Sequence, residues 1–225
     1  MLAVLTWPWL AALPGRFRWL APAPFLAVAA VSLLLREAAP LTGLVAGAVA
    51  YGLVFAAGRR GMVVLEALHA AVWLGAPLAV RLAERTLDFG RLSAAMKSSW
   101  SVRLGIWRFA ADRAAEHPLR GWGMDAARAF GDPIPLHPHD WPLQVWLELG
   151  LPGALLITIL WLGVMRRVAV QPGRTQQAAG AGAMTAYLAI GAVSFGLWQP
   201  WWLAVGVLAA LGLIVAARAY RSGGA

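Results

Sequence analysis

The sequence predicts an all-α polytopic membrane protein with about six transmembrane helices and one long structured loop. Hydrophobic residues make up 60% of the 225 residues and charged residues only 13%, against about 25% charged residues in a soluble domain. The charges are clustered, and the long apolar stretches between them are typical of a chain that is partly solvated by lipid. The chain contains no cysteine, which excludes disulfides and cysteine-based metal or redox sites.

Six apolar segments are long enough to cross a bilayer, which needs about 17 to 25 helical residues. They cover residues 19–35, 40–58, 61–81, 143–165, 179–197 and 200–217. Residues 1–13 are apolar but too short to cross, and they lack the basic start and the small-residue cleavage site of a signal peptide. We expect residues 1–225 to form a single membrane domain.

The basic residues predict the orientation of these segments. When alternate connections are assigned to opposite faces, nine arginines and no acidic residue fall on one side, namely Arg16, Arg18, Arg59, Arg60, Arg166, Arg167, Arg174, Arg218 and Arg221. The positive-inside rule makes that side cytoplasmic and places Arg36 and the loop 82–142 on the opposite face. The net charge of +9 therefore reflects topology, and no nucleic-acid partner is predicted because the basic residues form no continuous face.

The loop 82–142 is too rich in aromatic residues for a disordered linker. Its four tryptophans and three phenylalanines are Phe89, Trp100, Trp107, Phe109, Trp122, Phe130 and Trp141. Long loops that are ordered usually carry function. We therefore expect the chemistry of this protein to reside in this loop.

The first part of the loop, residues 93–116, predicts a helix that begins with Ser93 as N-cap and ends before the next proline. On this helix Arg103 shares one face with Trp100 and Trp107. Such a helix suits either the membrane surface or a position over a cavity. Arg103 could equally be an interfacial anchor that makes cation–π contacts with the two indole rings.

Two further parts of the loop carry candidate residues. A turn contains Gly121 and Gly123, whose backbone amides can approach an anion closely, although both glycines could simply form the turn. His137, His139 and Asp140 come just before the fourth apolar segment, and Asp140 is predicted to cap the helix that follows. The three residues also fit part of a metal site, but no fourth ligand is evident, so no metal is predicted.

Several short motifs of the loop occur in a fixed order over about 53 residues. They are Ser101-Val-Arg103-Leu-Gly-Ile-Trp107, Pro118-Leu-Arg-Gly121-Trp-Gly123, His137-Pro-His139-Asp140, Leu143-Gln144 and Glu148-Leu-Gly150-Leu-Pro-Gly153. This ordered set resembles the superfamily of O-antigen ligases and O-antigen polymerases, which are glycosyltransferases of the bacterial inner membrane. The resemblance places the protein in that membrane and the loop in the periplasm.

The resemblance implies that a glycan is transferred from a polyprenyl diphosphate carrier to an acceptor hydroxyl, with inversion and without a metal or another cofactor. His139 matches the loop histidine of the family, which implies that it acts as the base or orients the hydroxyl. Arg103 matches the loop arginine, which implies that it binds the diphosphate. The implied partners are the lipid-linked glycan donor, a glycolipid or polysaccharide acceptor, and membrane lipid.

A second diphosphate-binding arginine is implied where an earlier helix begins on the periplasmic side. Arg36 matches this position, although Leu35 replaces the serine that usually precedes the arginine. Arg59-Arg60-Gly61 is closer to the family's Ser-Arg-Gly pattern. The predicted topology places it on the cytoplasmic side, so Arg36 is the candidate.

The chain departs from the family in two ways. Asp140 replaces the usual asparagine after the loop histidine, and a carboxylate there would favour a protonated His139 and weaken it as a base. Members of the family have about a dozen spans, so this chain resembles their C-terminal half. We expect either a truncated form or a partner that supplies the missing N-terminal helices.

Two alternatives to a ligase remain open at this point. A polymerase of the same superfamily would use the same donor with a growing chain as the acceptor, and short motifs do not separate the two. A transporter-like or inactive membrane subunit is the alternative from another class, because some relatives have been associated with bicarbonate uptake.

Overall fold

The computed structural model describes residues 1–95 and 98–222. The described part is 82% helical and contains no strand, which confirms the predicted fold class. Its α-helices are α1 (Leu2–Ala12), α2 (Pro22–Leu34), α3 (Ala38–Ala57), α4 (Arg59–Leu87), α5 (Phe89–Ala95), α6 (Ser98–Glu116), α7 (Trp141–Ala169), α8 (Arg174–Gly191) and α9 (Pro200–Ser222), with 3-10 helices at Gly15–Leu20 and Ala126–Phe130.

Five helical segments of the described chain are long and apolar enough to cross a membrane, one fewer than predicted. They are Gly15–Leu34, α3, α4, α7 and α9. Helix α8 (Arg174–Gly191) covers most of the predicted span 179–197 but is not among these five segments, so that span stays a prediction. Residues 178–183 of α8 are small and all buried, so this part of the helix packs closely against protein.

The bounds of the loop also differ from the prediction. Helix α4 continues to Leu87, so the segment between the long helices is 88–140 and not 82–142. Of the helix predicted over 93–116, residues 93–95 belong to α5 and residues 98–116 to α6, and residues 96 and 97 lie outside the described residues. Ser93 lies inside α5 and does not start a helix. The predicted end is confirmed, because α6 stops at Glu116, just before a proline.

The chain divides into two compact units, and each is described by itself. The first unit comprises residues 1–67, 162–190 and from 199 onwards, and the second comprises 68–161 and 191–198. The expectation of a single membrane domain stays a prediction.

The first unit is built around Trp7 of the short helix α1. The indole of Trp7 packs edge-on against Phe25, with ring centroids 4.8 Å apart. Two glycines let the backbones of α3 and α8 approach the same ring. A Cβ added at Gly47 would lie 2.5 Å from the ring of Trp7, and one added at Gly182 would lie 2.6 Å from it. A helix too short to cross a membrane is thus held by close packing within the unit.

The second unit has a core of small and branched side chains from α4, α6, the segment after α6, and the start of α7. Its fully buried members include Ala110, Ala111, Ala127, Ile134, Leu143 and Leu147. Trp146 of α7 donates its indole N–H to the carbonyl of Trp73 on α4, at 2.9 Å. This core fixes the relative positions of α6, the segment after α6 and the start of α7, which carry the candidate site.

Candidate active site

Helix α6 presents Arg103 and Trp107 to the segment that precedes α7. The indole N–H of Trp107 donates to the carbonyl of Pro138, at 2.9 Å. The guanidinium carbon of Arg103 lies 5.0 Å from the ring centre of Trp100, so the cation–π contact expected of this face is present. The helix face predicted from the spacing of these residues therefore lies against the segment that carries His137 and His139.

His137 supports that segment from the interior. It is 6% exposed, and its ring packs against the backbone at Gly196, where an added Cβ would lie 2.9 Å away. Its Nδ1 accepts the backbone N–H of His139, at 3.2 Å. Burial, the neighbouring His139 and the charges of two arginines lower the pKa of His137 to about 4. His137 is therefore neutral at pH 7 and shapes the turn that presents His139.

His139 is held in one orientation by the main chain. Its backbone is in the left-handed region, with φ 56°, and its ring lies 4.1 Å from that of His137. Its Nδ1 is 2.7 Å from the carbonyl oxygen of Ser194. Because a carbonyl only accepts, we assign the hydrogen of the neutral imidazole to Nδ1, which leaves the lone pair on Nε2.

The protonation of His139 differs from the prediction based on Asp140. Burial lowers the pKa of His139; the bond to Ser194 opposes this shift, and the positive charge of Arg103 adds to it. The structure gives Asp140 a different role, because its side chain caps α7 by accepting the N–H of Leu143, at 2.9 Å. The predicted N-cap is confirmed, and burial raises the pKa of Asp140 to about 7. The expectation of a protonated His139 is wrong.

The turn with Gly121 and Gly123 packs backbone to backbone against α7. The N–H groups of Trp122 and Gly123 donate to the carbonyls of Leu147 and Glu148, both at 2.9 Å, and Gly121 donates to His117. These amide N–H groups donate to carbonyls of the protein itself and are therefore not available to bind an anion. The two glycine motifs of the sequence meet here, since Gly121 has φ 62° and faces the break in α7 at Gly150, whose φ is also 62°.

A buried carboxylate that sequence reasoning assigned no role joins several parts of the second unit. Glu148 is fully buried and accepts N–H bonds from the side chains of Gln144, at 3.0 Å, and Trp198, and from the backbone of Asp125, at 3.1 Å. Gln144 in turn accepts the backbone N–H of Leu197, at 2.9 Å. Two signals in the sequence pointed to Glu148: it opens the motif Glu148-Leu-Gly150-Leu-Pro-Gly153, and an ionisable residue within an apolar span is functional by default.

This hydrogen-bond network positions the acceptor of the His139 bond. Ser194 belongs to the short segment 191–198, and Glu148 and Gln144 bind Trp198 and Leu197 of that segment. The carbonyl of Ser194 is therefore held against the start of α7 by two side chains of α7 itself. Glu148 and Gln144 thus bind the same short segment whose Ser194 carbonyl bonds the imidazole of His139.

Arg36 lies in the first unit, apart in the sequence from the other candidates. It occupies the turn between α2 and α3, with φ 55°, and its side chain is exposed. Its assignment to the diphosphate stays a prediction that depends on the resemblance. In the described chain, no group of three or more histidine, aspartate or glutamate residues is arranged to hold a metal ion.

The long apolar helices and the half-buried arginine–histidine site define a polytopic membrane protein with a candidate transfer site. Residues 9–158 match the O-antigen ligase family. The chain belongs to this family, which confirms the resemblance of its motifs.

Three rickettsial proteins, each named "Putative polysaccharide ligase", are similar to this chain over part of their length. The protein of Rickettsia conorii is 31% identical over 134 residues, which are 53% of this chain and 33% of the relative. That of Rickettsia prowazekii is 31% identical over 127 residues (50% and 31%), and that of Rickettsia bellii 33% over 116 residues (45% and 28%). The chain thus spans about a third of the length of these relatives. No solved structure matches it.

Proposed function

We propose that this protein transfers a glycan from a polyprenyl diphosphate carrier to an acceptor hydroxyl, at the periplasmic face of the bacterial inner membrane. The observation that supports this function is the state of His139: its Nδ1–H is held by Ser194 at 2.7 Å, and its basic Nε2 belongs to a neutral ring. Membership of the O-antigen ligase family supports the reaction class. The asymmetric distribution of arginines supports the orientation.

The proposed step is a displacement at the anomeric carbon of the glycan. The Nε2 atom of His139 accepts the proton of the acceptor hydroxyl while the hydroxyl oxygen forms the new bond to that carbon. The bond from the carbon to the diphosphate oxygen breaks, and the diphosphate leaves with the electron pair. Attack from the side opposite the leaving group inverts the anomeric centre.

Arg103 stabilises the charge that develops on the leaving diphosphate. A guanidinium stays protonated at any relevant pH and presents a planar set of donors to phosphate oxygens. The same positive charge lowers the pKa of His139, so it also keeps the base unprotonated. Arg36 is retained as a second diphosphate-binding residue because of its match to the family pattern.

The reaction can be tested with purified protein in lipid vesicles, a polyprenyl-diphosphate-linked glycan and a glycolipid acceptor. Arg103→Ala is expected to lower the transfer rate by about 100- to 1000-fold, the effect of removing one preorganised donor at a developing charge. Arg103→Lys should retain part of the rate, since it keeps the charge but not the planar fork.

The matched control for this test is Arg108→Ala on the same helix. Arg108 is exposed and pairs with Glu84 at 2.8 Å, and such surface pairs contribute little. Equal rates for Arg103→Ala and wild type, or no transfer by the wild type, would contradict the proposal. A single transferred glycan indicates a ligase, whereas a ladder of repeat units would assign the chain to the polymerases.

Trp198→Phe tests the indirect role of the buried network. It keeps an aromatic ring and removes the N–H that binds Glu148, so the segment with Ser194 loses one of the hydrogen bonds that join it to α7. We expect a loss of about 1 kcal/mol of stability and a transfer rate lower by about tenfold to a hundredfold, because small misplacements of a base are costly.

A purely structural role for Trp198 makes a different prediction. It would lower the unfolding midpoint without changing the pH dependence of the rate. If the network orients His139, the acidic limb of the pH profile should move in Trp198→Phe. The exposed Trp201→Phe serves as the control and should leave the profile unchanged.

A further inference from the structure

We infer that a cavity in the first unit binds a phosphate ester anion, with a phospholipid headgroup as the favoured source. The cavity has a volume of about 540 Å³ and lies among α3, α4, α7 and α8. Its polar lining is Arg59, Glu66, Arg166 and Gln177, and its apolar rim includes Val63 and Val170. This site does not depend on the proposed transfer reaction.

The two arginines of the cavity have no partner among the residues that the structure describes. The five ion pairs within those residues all lie between residues 81 and 128. By contrast, the nearby Arg174 donates to the carbonyls of Val54 and Phe55, at 3.5 and 3.3 Å. Two guanidinium groups that face one cavity without a carboxylate partner within bonding distance are suited to a bound anion.

The charge of the cavity matches a phosphodiester. Arg59 and Arg166 contribute two positive charges and Glu66 one negative charge, so the lining carries a net charge of +1. One phosphodiester, which carries a single negative charge, brings the occupied cavity to neutrality. The cavity also contains the N-terminus of α4, a helix of 29 residues that begins at Arg59. The partial positive charge there adds to the attraction for an anion.

The position of the cavity along the helices favours a lipid as the source. Arg59 is the first residue of α4, and Arg166 lies three residues before the end of α7. Both helices are able to cross a membrane, so both arginines lie at headgroup depth. Val63 and Val170 are exposed beside them and offer an apolar surface to the start of an acyl chain.

The inference can be tested on delipidated protein in a neutral detergent by titration with dihexanoyl phosphatidylglycerol. We expect this lipid to raise the unfolding temperature of the wild type, and the uncharged dihexanoylglycerol to have no effect. Arg59→Gln and Arg166→Gln should each weaken binding by about tenfold, the usual effect of losing one charge-assisted contact. Inorganic phosphate is titrated in parallel. Stabilisation by phosphate alone would assign a soluble anion and overturn the lipid source.

The chain offers a matched control for each arginine. Arg60 and Arg167 are exposed neighbours that do not line the cavity, and Arg60→Gln and Arg167→Gln should bind the lipid as wild type does. Equal losses in these controls would mean nonspecific attraction and would overturn the inference. Glu66→Gln removes the one negative charge of the lining and should tighten binding several-fold, so an unchanged or weaker affinity in that variant would also contradict the site.

Discussion

Replacing His139 by asparagine is expected to lower the rate of glycan transfer by about 100- to 10,000-fold, the contribution of one positioned general base. Asparagine is the preferred substitution because His139 has φ 56°, and asparagine tolerates the left-handed region better than alanine. The side chain of the variant cannot accept the hydroxyl proton. Transfer measured in vesicles, with the unfolding temperature as a check on folding, decides this prediction.

The pH profile gives an independent test of the same assignment. Burial lowers the pKa of His139 below the usual 6.5, so the ring stays neutral as the pH falls through 6.5. The wild-type rate should therefore persist below that pH and decline only as His139 gains a proton. A rate that already falls with a midpoint above 6.5, or an unchanged rate in His139→Asn, would rule out His139 as the base.

Gly121→Ala is expected to destabilise the second unit by about 2–5 kcal/mol, through overpacking and a positive φ. An added Cβ would overlap the backbone carbonyl of Glu148 and lie 2.6 Å from the N of Leu149. Backbone atoms of a helix cannot move away as a flexible side chain would. The unfolding midpoint in detergent and the yield of folded protein measure this effect.

A second glycine of the same unit provides the comparison for Gly121. Gly105 lies in α6 with no heavy atom within 4 Å of an added Cβ, and alanine favours a helix by about 0.5–1 kcal/mol over glycine. Gly105→Ala should therefore be neutral or stabilising. If Gly121→Ala unfolds at the wild-type temperature, the close packing of the turn against α7 does not hold this unit together.

Local patterns predicted the features that depend on neighbouring residues alone. The stop of α6 before Pro118 and the cap of α7 by Asp140 follow from short-range hydrogen bonding and proline geometry. The shared face of Arg103 and Trp107 follows from helical spacing. The motif order also predicted the family correctly. The expectation that Asp140 would favour a protonated His139 was wrong, because burial of the imidazole, which proximity in the sequence does not predict, lowers the pKa of His139.

The amino-acid sequence by itself determined that this is a helical membrane protein, because the length of an apolar run is set by the thickness of the bilayer. Only the tertiary structure decided how the site is arranged. Ser194, which orients the ring of His139, lies 55 residues further along the chain. The buried Glu148 binds that same segment through Trp198, 50 residues away. Such bonds depend on packing between distant segments, which no local pattern encodes, and so the orientation of the proposed base appears only when the chain is folded.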